Sequence, residues 1–416
     1  MAEGTLPGAL VGLTVIEAST HILGPMAAAM LGDQGADVIK VEGLEGDPAR
    51  SLRDYAGYDV SVRNAAGGGE SNAIFEVMNR NKRGIAIDLE STEGRGILRE
   101  LLTTADGFIE GFGPGVLEAQ GLGYKSLASA NPGLIYCGLS ATGPHDAEPS
   151  APKPDAVAAA RSGMMWMAGR PGSPPNWNNL SLGDTMGASM VAYGMVAAIT
   201  ARARGASGQR LDVSQLMSMA WLERWAVETV MVRKLEEWPR FDREETRNPL
   251  FSFYQCSDDQ WIILGIIDHE RDWVPFCRAM GLEWMHEDVL FNSGEARIAN
   301  ARQLVEALDA RFAEEPRAHW EKRLGSERAL IFDRVQQIAE LPEDPAVQSN
   351  AYFQDVEHPR HGPTKMLTHP TLLTKTPAAY YREAPQLGEH TEEVLRERLG
   401  YADARIAELR SGGVIP

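Results

Sequence analysis

Short apolar runs alternate with longer amphipathic segments over the first 140 residues of the chain. The runs are apolar and partly β-branched, which is typical of buried strands. They lie at residues 13–17, 38–41, 83–89, 107–110 and 134–139. Segments with helical spacing separate them, at residues 24–31 and 93–104 among others, with Ser91 and Thr92 as candidate caps of the second. This alternation predicts an α/β fold, a doubly wound open sheet with parallel strands.

The pattern changes in the second half of the chain. A mostly apolar run at residues 186–199 and a segment at residues 214–235 predict two long helices, the second capped by Ser214. Two strand-like runs joined by Ser257-Asp-Asp-Gln260 then predict a hairpin, at residues 251–256 and 261–267. Helical segments follow at residues 272–280, 299–312, 318–324, 391–398 and 402–411. We therefore expect a second, smaller α+β unit.

Composition narrows the classes of protein to consider. The 416 residues include 44% hydrophobic and 24% charged residues, as in soluble globular proteins. The net charge of −18, from 40 basic and 58 acidic residues, argues against nonspecific nucleic-acid binding. The cysteines at 137, 256 and 277 are far apart, which disfavours a disulfide framework or a zinc site. We find no signal peptide and no apolar run long enough to cross a bilayer, so we expect a cytoplasmic protein.

One carboxylate stands at the start of the long apolar run. Asp184 lies in Ser181-Leu-Gly-Asp-Thr-Met-Gly187, where a loop gives way to the predicted helix. It has two interpretations. Asp184 is an N-cap that accepts hydrogen bonds from free backbone N–H groups. Alternatively, it is a nucleophile that the same N–H groups and the helix dipole keep ionised.

Short motifs along nearly the whole chain, from about residue 10 to residue 415, favour the second interpretation. They are Gly12-Leu-Thr-Val-Ile-Glu17, Gly24-Pro25, Gly35-Ala-Asp-Val-Ile-Lys-Val-Glu42, Gly46-Asp47, Asn79-Arg-Asn-Lys-Arg83, Ile87-Asp88-Leu89, Gly111-Phe-Gly-Pro-Gly115, Gly183-Asp184, Gly208-Gln-Arg-Leu-Asp-Val213 and Ala384-Pro-Gln-Leu-Gly-Glu-His-Thr391. In order and spacing, the chain resembles the family III CoA-transferases, the group of formyl-CoA and carnitine CoA-transferases.

The resemblance implies an activity and an architecture. It implies an acyl-CoA:carboxylate CoA-transferase in which Asp184 forms aspartyl anhydride and aspartyl-CoA thioester intermediates. No cofactor is held permanently, since the CoA thioester is a substrate, and no metal is expected. The large domain combines residues 1–230 and 345–416, with a small domain at residues 245–335 inserted. Two such chains interlock as a homodimer, or a related chain completes a hetero-oligomer; neither nucleic acid nor membrane is an expected partner.

The resemblance also implies contacts with CoA. Ile22 and Leu23 flank it, Ile87 and Asp88 surround the adenine, Gly111, Phe112 and Gly113 follow the cofactor, and Lys153 and Asp155 lie near the pantetheine. Some positions depart from the family pattern. Gly111, Ala119 and Ala160 stand where many members carry Asn, Arg and Gln, and residues 233–251 lack the glycine-rich loop of some members.

Several other features have competing interpretations. The first strand–helix turn contains only Gly24 of a dinucleotide-binding glycine triplet, which weakens a dehydrogenase hypothesis. Lys82 and Arg83 are either solvated surface or phosphate-binding groups. We interpret His358, His361 and His390 as surface or structural residues, and Thr391 as a candidate cap of the final helical part. Trp166 and Trp177, in a Met-rich segment before Asp184, either fill the core or line a pocket for a bulky acyl group.

Two other functions compete with CoA transfer. An α-methylacyl-CoA racemase of the same fold places a histidine before the aspartate that matches Asp155, and this chain has Pro154 there. A non-catalytic CoA-binding subunit of a hetero-oligomer would have no need to retain Asp184. We therefore favour the transferase.

Overall fold

The computed structural model describes residues 8–63, 70–145, 154–177 and 180–416. Its strands are β1 Thr14–Ala18, β2 Asp37–Glu42, β3 Asp54–Tyr55, β4 Tyr58–Asp59, β5 Ser61–Arg63, β6 Glu70–Asn72, β7 Lys82–Ala86, β8 Gly107–Glu110, β9 Ile135–Ser140, β10 Arg210–Ser214, β11 Phe253–Gln255, β12 Trp261–Leu264, β13 Phe332–Val335, β14 Phe353–His358 and β15 Gly362–Leu367.

The α-helices account for most of the remaining regular structure. They are α1 Leu23–Asp33, α2 Ala73–Met78, α3 Thr92–Leu102, α4 Val116–Ala119, α5 Tyr124–Ala130, α6 Asp155–Ser162, α7 Met164–Met167, α8 Leu182–Ala203, α9 Gln215–Leu222, α10 Arg224–Arg233, α11 Trp273–Met280, α12 Gly294–Ala299, α13 Ala301–Phe312, α14 Arg317–Gly325, α15 Pro345–Ser349, α16 Thr391–Leu399 and α17 Asp403–Ser411. Short 3-10 turns lie at Pro48–Arg50, Glu283–His286 and Ile338–Glu343.

Six strands form one parallel sheet, in the order β10-β9-β8-β1-β2-β7. From β1 the chain adds β2 and β7 on one side, then returns to add β8, β9 and β10 on the other. Ligands of open α/β sheets bind beyond the carboxyl ends of the strands at such a switch point, here between β1 and β8. The predicted α/β fold with a parallel-sheet core is confirmed, although the sequence analysis did not predict the edge strand β10.

Each face of this sheet is covered by a separate apolar cluster. One cluster joins sheet residues such as Ile85 and Phe108 to α3 and to the chain's end, where Val394, Leu409 and Ile415 are buried. The other joins Val38 and Ile109 to α1 and α8. Residues from both ends of the chain therefore cover the same sheet and hold its strand ends in place.

Helix α8 lies in the second of these clusters. Its 22 residues are long and apolar enough to cross a membrane by length and composition alone, contrary to our expectation from the sequence. Ala188, Val191 and Met195 are nevertheless buried against α1 and the sheet. A Cβ atom at Gly187 would lie 2.8 Å from Leu23 Cδ1, so the two helices approach closely. These contacts are those of a core helix, and they fix the position of its first turn.

The chain divides into two compact units. The first contains Met1–Met165, Trp177–Glu237 and Asn350–Pro416, and the second contains Trp166–Asn176 and Trp238–Ser349. We expected residues 166–176 to belong to the large domain, whereas they group with the second unit. That assignment rests on spatial contacts, which the composition of this segment does not reveal.

The second unit has its own antiparallel sheet, β11-β12-β13, and its own apolar core. The predicted hairpin forms, with Phe253 opposite Ile263 in register. Helices α11, α13 and α14 match predicted segments. Trp320 and Phe312 are fully buried in this core, where their rings lie 5.4 Å apart. The unit thus folds around aromatic residues of its own.

The predicted helix over residues 214–235 is wrong. Ser214 does cap a helix, since its Oγ accepts a hydrogen bond from the Met217 N–H at 3.2 Å. That helix, α9, ends at Leu222, and α10 begins at Arg224. The break falls at Glu223, whose buried side chain accepts a hydrogen bond from Ser162 Oγ at 3.3 Å. The two residues are 61 positions apart in the sequence, so the helical periodicity of residues 214–235 does not reveal their contact.

Candidate active site

A cavity of about 540 Å³ opens beyond the carboxyl ends of the parallel strands. It is lined by residues that follow β1, β8 and β9, by the start of α1, and by Tyr55. Asp155, Asp184 and Gln215, which begin or lie near the beginning of α6, α8 and α9, complete one wall. The cavity therefore lies where the sheet topology predicts a ligand.

Asp184 is the third residue of α8 and is not its N-cap. Ser181 holds the N-cap position, with a left-handed backbone (φ 46°) and no capping side-chain hydrogen bond. The interpretation of Asp184 as an N-cap is therefore wrong. Its side chain instead faces the cavity and is only 7% exposed.

The free N–H groups of this helix terminus are satisfied by Asp155. Its carboxylate accepts hydrogen bonds from the backbone N–H of Asp184, at 3.0 Å, and from that of Gly183. A Cβ atom at Gly183 would lie 2.6 Å from Asp155 Oδ1, so only glycine permits this approach. Asp155 thus anchors the first turn of α8 to the start of α6.

Gln215 provides the side-chain hydrogen bond to Asp184. Its Nε2 donates to Asp184 Oδ1 at 2.5 Å, from the first position of α9. We did not predict this residue from the sequence. Gln215 directly follows β10 and so stands at the ligand-binding edge of the parallel sheet, but β10 itself was not predicted from the sequence.

The carboxylate of Asp184 is harder to ionise than an exposed one. Burial raises its pKa to about 7, the hydrogen bond from Gln215 opposes that rise, and the nearby Asp155 carboxylate adds to it. The expectation that backbone N–H groups keep Asp184 ionised is therefore wrong, since those groups are directed at Asp155. Near neutral pH, Asp184 is poised between carboxylate and acid.

Tyr55 and Ser181 form a second polar pair at the cavity. Tyr55 Oη and Ser181 Oγ lie 2.5 Å apart. Burial raises the pKa of Tyr55, the hydrogen bond with Ser181 opposes this, and the carboxylates of Asp184 and Asp155 reinforce it. Tyr55 was not predicted as a site residue, and it lies in the two-residue strand β3. A neutral hydroxyl therefore faces the two carboxylates.

The first strand–helix turn supplies the opposite wall. Ile22 and Leu23 line the cavity, and both side chains are largely buried. His21 precedes them with a left-handed backbone (φ 65°), and its N–H donates to Asp47 Oδ1 at 3.2 Å. A Cβ atom at Gly24 would lie 1.9 Å from Ser19 Oγ. Close packing in this turn therefore accounts for Gly24, and no bound pyrophosphate is needed to explain the glycine.

The glycine-rich turn after β8 adjoins a smaller cavity of about 100 Å³. Gly111 lines both cavities, and Phe112 lines the smaller one. Gly113 is outside both sets of lining residues and has a backbone φ of 92°. The Phe112 N–H donates to Glu110 Oε2 at 3.0 Å, and burial raises the pKa of Glu110 to about 7. The two cavities share Ser19, Thr20 and Gly111.

The remaining predicted contacts are more distant from these cavities. Ile87 is fully buried in the apolar cluster on the sheet, and the Asp88 N–H donates to the Val414 carbonyl at 2.8 Å. Neither lines the two described cavities, whereas the adjacent Leu89 lines the smaller one. Lys153 lies outside the described residues.

The phosphate-binding interpretation of Lys82 and Arg83 is wrong for the structure described. Lys82 is fully buried and donates to Glu17 Oε2 at 3.2 Å, Pro25 O at 2.8 Å and Asn79 Oδ1 at 2.8 Å. All three ammonium protons are thereby used. Arg83 is 5% exposed and pairs with Asp37, with further contacts to Glu393 and Glu397. Lys82 and Arg83 therefore stabilise the sheet through hydrogen bonds and ion pairs.

His358 is buried, and it belongs to a polar cluster within the fold. Among the described residues, Glu76, His358 and His361 form a group with ligand atoms within 4.8 Å of one another. Arg360 Nε donates to Glu76 Oε1 at 3.1 Å, which makes that carboxylate an ion-pair partner. His358 Nδ1 accepts from the backbone N–H groups of Arg360 and His361. A guanidinium beside Glu76 disfavours a cation there.

The C-terminal motif is structural, as we interpreted it, but one detail is wrong. His390 Nδ1 accepts a hydrogen bond from the Gly84 N–H at 3.2 Å. Thr391, which we expected to cap the final helical part, is the first residue of α16. Its Oγ1 instead accepts from the Ala86 N–H at 3.0 Å. Both side chains thus accept hydrogen bonds from backbone N–H groups on the outer edge of β7.

Trp166 and Trp177 do not fill the core. Their side chains are 49% and 40% exposed. Trp166 belongs to the second unit, where the Arg240 guanidinium lies 3.7 Å from its ring centroid. Trp177 belongs to the first unit and is not among the residues that line the 540 Å³ cavity. Met164 and Met165 pack at the edge of a small cluster around Met219.

Comparison with known proteins places the chain among enzymes that handle CoA thioesters. Residues 10–391 match the model described as CoA-transferase family III. The chain is 28% identical over 407 residues to the (R)-2-hydroxy-4-methylpentanoate CoA-transferase of Clostridioides difficile, covering 98% of this chain and 99% of that one. It is 30% identical over 417 residues to the succinyl-CoA–L-malate CoA-transferase beta subunit of Chloroflexus aurantiacus, covering 99% and 98%. The crystal structure of a CAIB/BAIF family protein from Brucella suis superposes with a TM-score of 0.84, at 25% identity, covering 94% and 100%.

Proposed function

The chain belongs to CoA-transferase family III and is a CoA-transferase, and we propose that it transfers CoA from an acyl-CoA donor to a carboxylic acid through covalent intermediates on Asp184. One observation carries this proposal. Asp184 lies in a cavity at the switch point of the sheet, with one oxygen bound by Gln215 and its backbone N–H held by Asp155. A buried carboxylate that is fixed in place, and that accepts few hydrogen bonds that would lower its nucleophilicity, is suited to act as a nucleophile.

The proposed reaction begins with attack of an Asp184 oxygen on the thioester carbonyl carbon. The C–O bond forms, the C–S bond breaks, and CoA leaves as the thiolate with an acyl-aspartyl anhydride on the enzyme. The thiolate then attacks the aspartyl carbon, giving aspartyl-CoA thioester and releasing the donor acid. The acceptor carboxylate attacks that thioester to form a second anhydride, and the returning thiolate collapses it to the new acyl-CoA and free Asp184.

The predicted CoA contacts remain part of the proposal, with roles adjusted to the geometry. Ile22, Leu23 and Gly111 face the reaction cavity, and Phe112 faces the smaller cavity beside it. We propose that CoA runs from the smaller cavity towards Asp184. Gly113, Ile87, Asp88 and Lys153 remain predicted contacts. Asp155 acts by holding the first turn of α8, and no resident cofactor or metal is required.

The lining of the cavity favours a monocarboxylic acid with an apolar body. Among the described lining residues there is no Lys or Arg, and two carboxylates are present, Asp155 and Asp184. A second carboxylate on the substrate would be repelled there. Leu23, Leu52 and Leu139 supply apolar surface. The substrate named for the Clostridioides relative, a branched hydroxy acid, fits this lining better than the malate named for the Chloroflexus relative.

The two competing functions have less support. In a racemase, Asp155 and a histidine before it would exchange protons with the substrate, but Pro154 stands there and two backbone N–H groups occupy Asp155. A non-catalytic subunit would have no reason to bury the carboxylate of Asp184 at the cavity. The Chloroflexus relative is named as a subunit, so assembly with a related chain is tested below.

We propose a homodimer in the cytoplasm. On α10, Trp225, Met231 and Val232 are 67%, 67% and 82% exposed in the isolated chain. Large exposed apolar side chains of this kind mark protein interfaces. The three cysteines are free and buried, as suits a reducing compartment. Light scattering should give twice the mass of the chain; a fully active monomer at micromolar concentration contradicts the dimer.

The function is tested with the purified chain alone. Acyl-CoA donors are incubated with a panel of linear, branched and dicarboxylic acids, and new acyl-CoA products are identified by mass spectrometry. We expect transfer to monocarboxylic acids, and loss of transfer on the order of 10⁴-fold or more in Asp184→Ala and Asp184→Asn. Turnover near that of the wild type in either variant contradicts the aspartyl mechanism. Activity that appears only with a related second chain supports the subunit alternative.

A further inference from the structure

Gln215 is placed by the sheet at the nucleophile. Strand β10 ends at Ser214, which caps α9, so that Gln215 is the first residue of the helix. Its Nε2 lies 2.5 Å from Asp184 Oδ1, and its side chain also lines the reaction cavity. The contact is therefore built by the strand–helix junction and is not a chance surface contact.

The side-chain oxygen of Gln215 indicates that its Nε2 group makes the contact that matters at the site. Gln215 Oε1 is buried and has no hydrogen-bond partner among the described residues. A buried oxygen without a partner is unfavourable, and native proteins retain few of them. Here the side-chain amide of Gln215 directs Nε2 towards Asp184 and leaves Oε1 without a partner among the described residues. We take this as a sign that donation to Asp184 is what the site requires.

We propose that Gln215 is a catalytic residue that donates a hydrogen bond to the same oxygen of Asp184 in every covalent state of the reaction. The inference rests on the aspartyl mechanism proposed above. In the anhydride and in the CoA thioester, Oδ1 becomes a carbonyl oxygen, which can only accept. The orientation seen in the free protein, with Nε2 towards Oδ1, already suits each of these species.

The donor acts when the aspartyl carbon is attacked. The CoA sulfur forms a bond to that carbon, and the carbonyl electron pair moves to Oδ1, which becomes an oxyanion. When the carbonyl re-forms, the bond from carbon to the bridging oxygen breaks, and the donor acid leaves as carboxylate with the electron pair. Charge is conserved, since the thiolate is consumed and a carboxylate is released. A hydrogen bond from Gln215 strengthens as charge develops on Oδ1.

The first step has the opposite requirement. When Asp184 attacks the substrate thioester, its carboxylate loses negative charge, so the hydrogen bond from Gln215 weakens. At alkaline pH, where Asp184 is ionised with or without this donor, removing the donor should therefore slow the attack on the aspartyl carbon without slowing formation of the anhydride. A purely structural role predicts that both steps are slowed together.

The first variant is Gln215→Met, which keeps the approximate volume and removes the donor. We expect turnover to fall by roughly 10²- to 10³-fold, as for the loss of one oxyanion donor. After mixing with acyl-CoA without acceptor, rapid quenching and intact-mass measurement should show more enzyme carrying the acyl group than in the wild type. Wild-type turnover, or equal slowing of adduct formation and decay, overturns the proposal.

The second variant is Gln215→Glu, which keeps the shape and donates only when protonated. The other titratable groups that line the cavity, Asp155, Tyr55 and His21, are unchanged in it. Wild-type activity should increase with pH as Asp184 ionises. In Gln215→Glu, activity should instead fall as pH rises, because the doubly ionised pair has no donor. A pH profile like that of the wild type overturns the proposal, and this variant decides the matter if Gln215→Met does not fold.

Two controls separate the possible failures. Met217→Leu alters the same turn of α9 at a side chain that is 60% exposed, and it should retain wild-type turnover. Asp184→Asn is measured in the same series. If Asp184→Asn is inactive while Gln215→Met matches the wild type, only the role of Gln215 is refuted. If Asp184→Asn turns over normally, the aspartyl mechanism itself fails.

Discussion

Replacing Asp184 by asparagine should make the free protein more stable while it removes transfer of CoA. In the native state, burial raises the pKa of Asp184 from 3.8 to about 7, with Gln215 opposing and Asp155 adding to the rise. An asparagine oxygen can still accept the hydrogen bond from Gln215 Nε2. The variant therefore loses the buried charge and keeps the contact.

The magnitude follows from proton linkage. The native pKa lies above the unfolded value, so the native state holds its proton where the unfolded state has already released it. Stability from this carboxyl is therefore present below about pH 4 and is lost as the pH rises towards 7. One pKa unit corresponds to about 1.4 kcal/mol, so the full loss is on the order of 4 kcal/mol. Between about pH 5 and pH 8 the change should be roughly 2–3 kcal/mol.

The measurement is urea unfolding of the wild type and of Asp184→Asn at both pH values. The stability of the variant relative to the wild type should grow with pH by the amount given above. The matched control is Asp403→Asn, at a side chain that is 88% exposed, for which the difference should not depend on pH by more than a few tenths of a kcal/mol. A pH-independent difference for Asp184→Asn, or a less stable variant at pH 8, refutes the reasoning.

Three further predictions concern the same region. The kcat/KM of the wild type should increase with pH with a midpoint near 7, because free Asp184 must be ionised to attack in the proposed mechanism; a profile that is flat from pH 5 to pH 9 contradicts this. Gly183→Ala should lower kcat at least about 10-fold, since its Cβ would lie 2.6 Å from Asp155 Oδ1, whereas Gly96→Ala, with open space at its Cβ, should not. Glu17→Gln should cost about 3–5 kcal/mol in urea unfolding, because it leaves the buried ammonium groups of Lys40 and Lys82 without their shared partner; a loss below about 1 kcal/mol argues against that network.

Local patterns predicted much of the first unit. The apolar run at residues 107–110 coincides with β8, and Ser91 caps α3 by accepting from the Gly94 N–H. These features depend on residues within a few positions of one another. The same holds for the hairpin of β11 and β12, where a short polar loop joins two apolar runs. Such elements can be predicted because both the cause and the structure are local.

Contacts between distant residues could not be predicted in this way. Lys82 and Arg83 form a basic run, which looks like surface or a phosphate site until their partners Glu17 and Asp37 are known. Those partners lie 65 and 46 residues away and become neighbours only when the strands pair. Gln215 was also missed, because its strand β10 is short, mostly polar and not apparent as a strand from its sequence.

The site also supports our proposal that one aspartate is the nucleophile and that its neighbour is not. Two carboxylates meet at the first turn of α8, but the helix offers its backbone N–H groups to only one of them. Asp155 accepts two such bonds, which counter the effect of burial on its pKa and hold its oxygens in place. Among the described residues, Asp184 accepts one side-chain hydrogen bond, from Gln215, and it faces the cavity. A carboxylate that is already well satisfied is a weak nucleophile, so the distribution of N–H groups supports the proposed roles, anchoring for Asp155 and attack for Asp184.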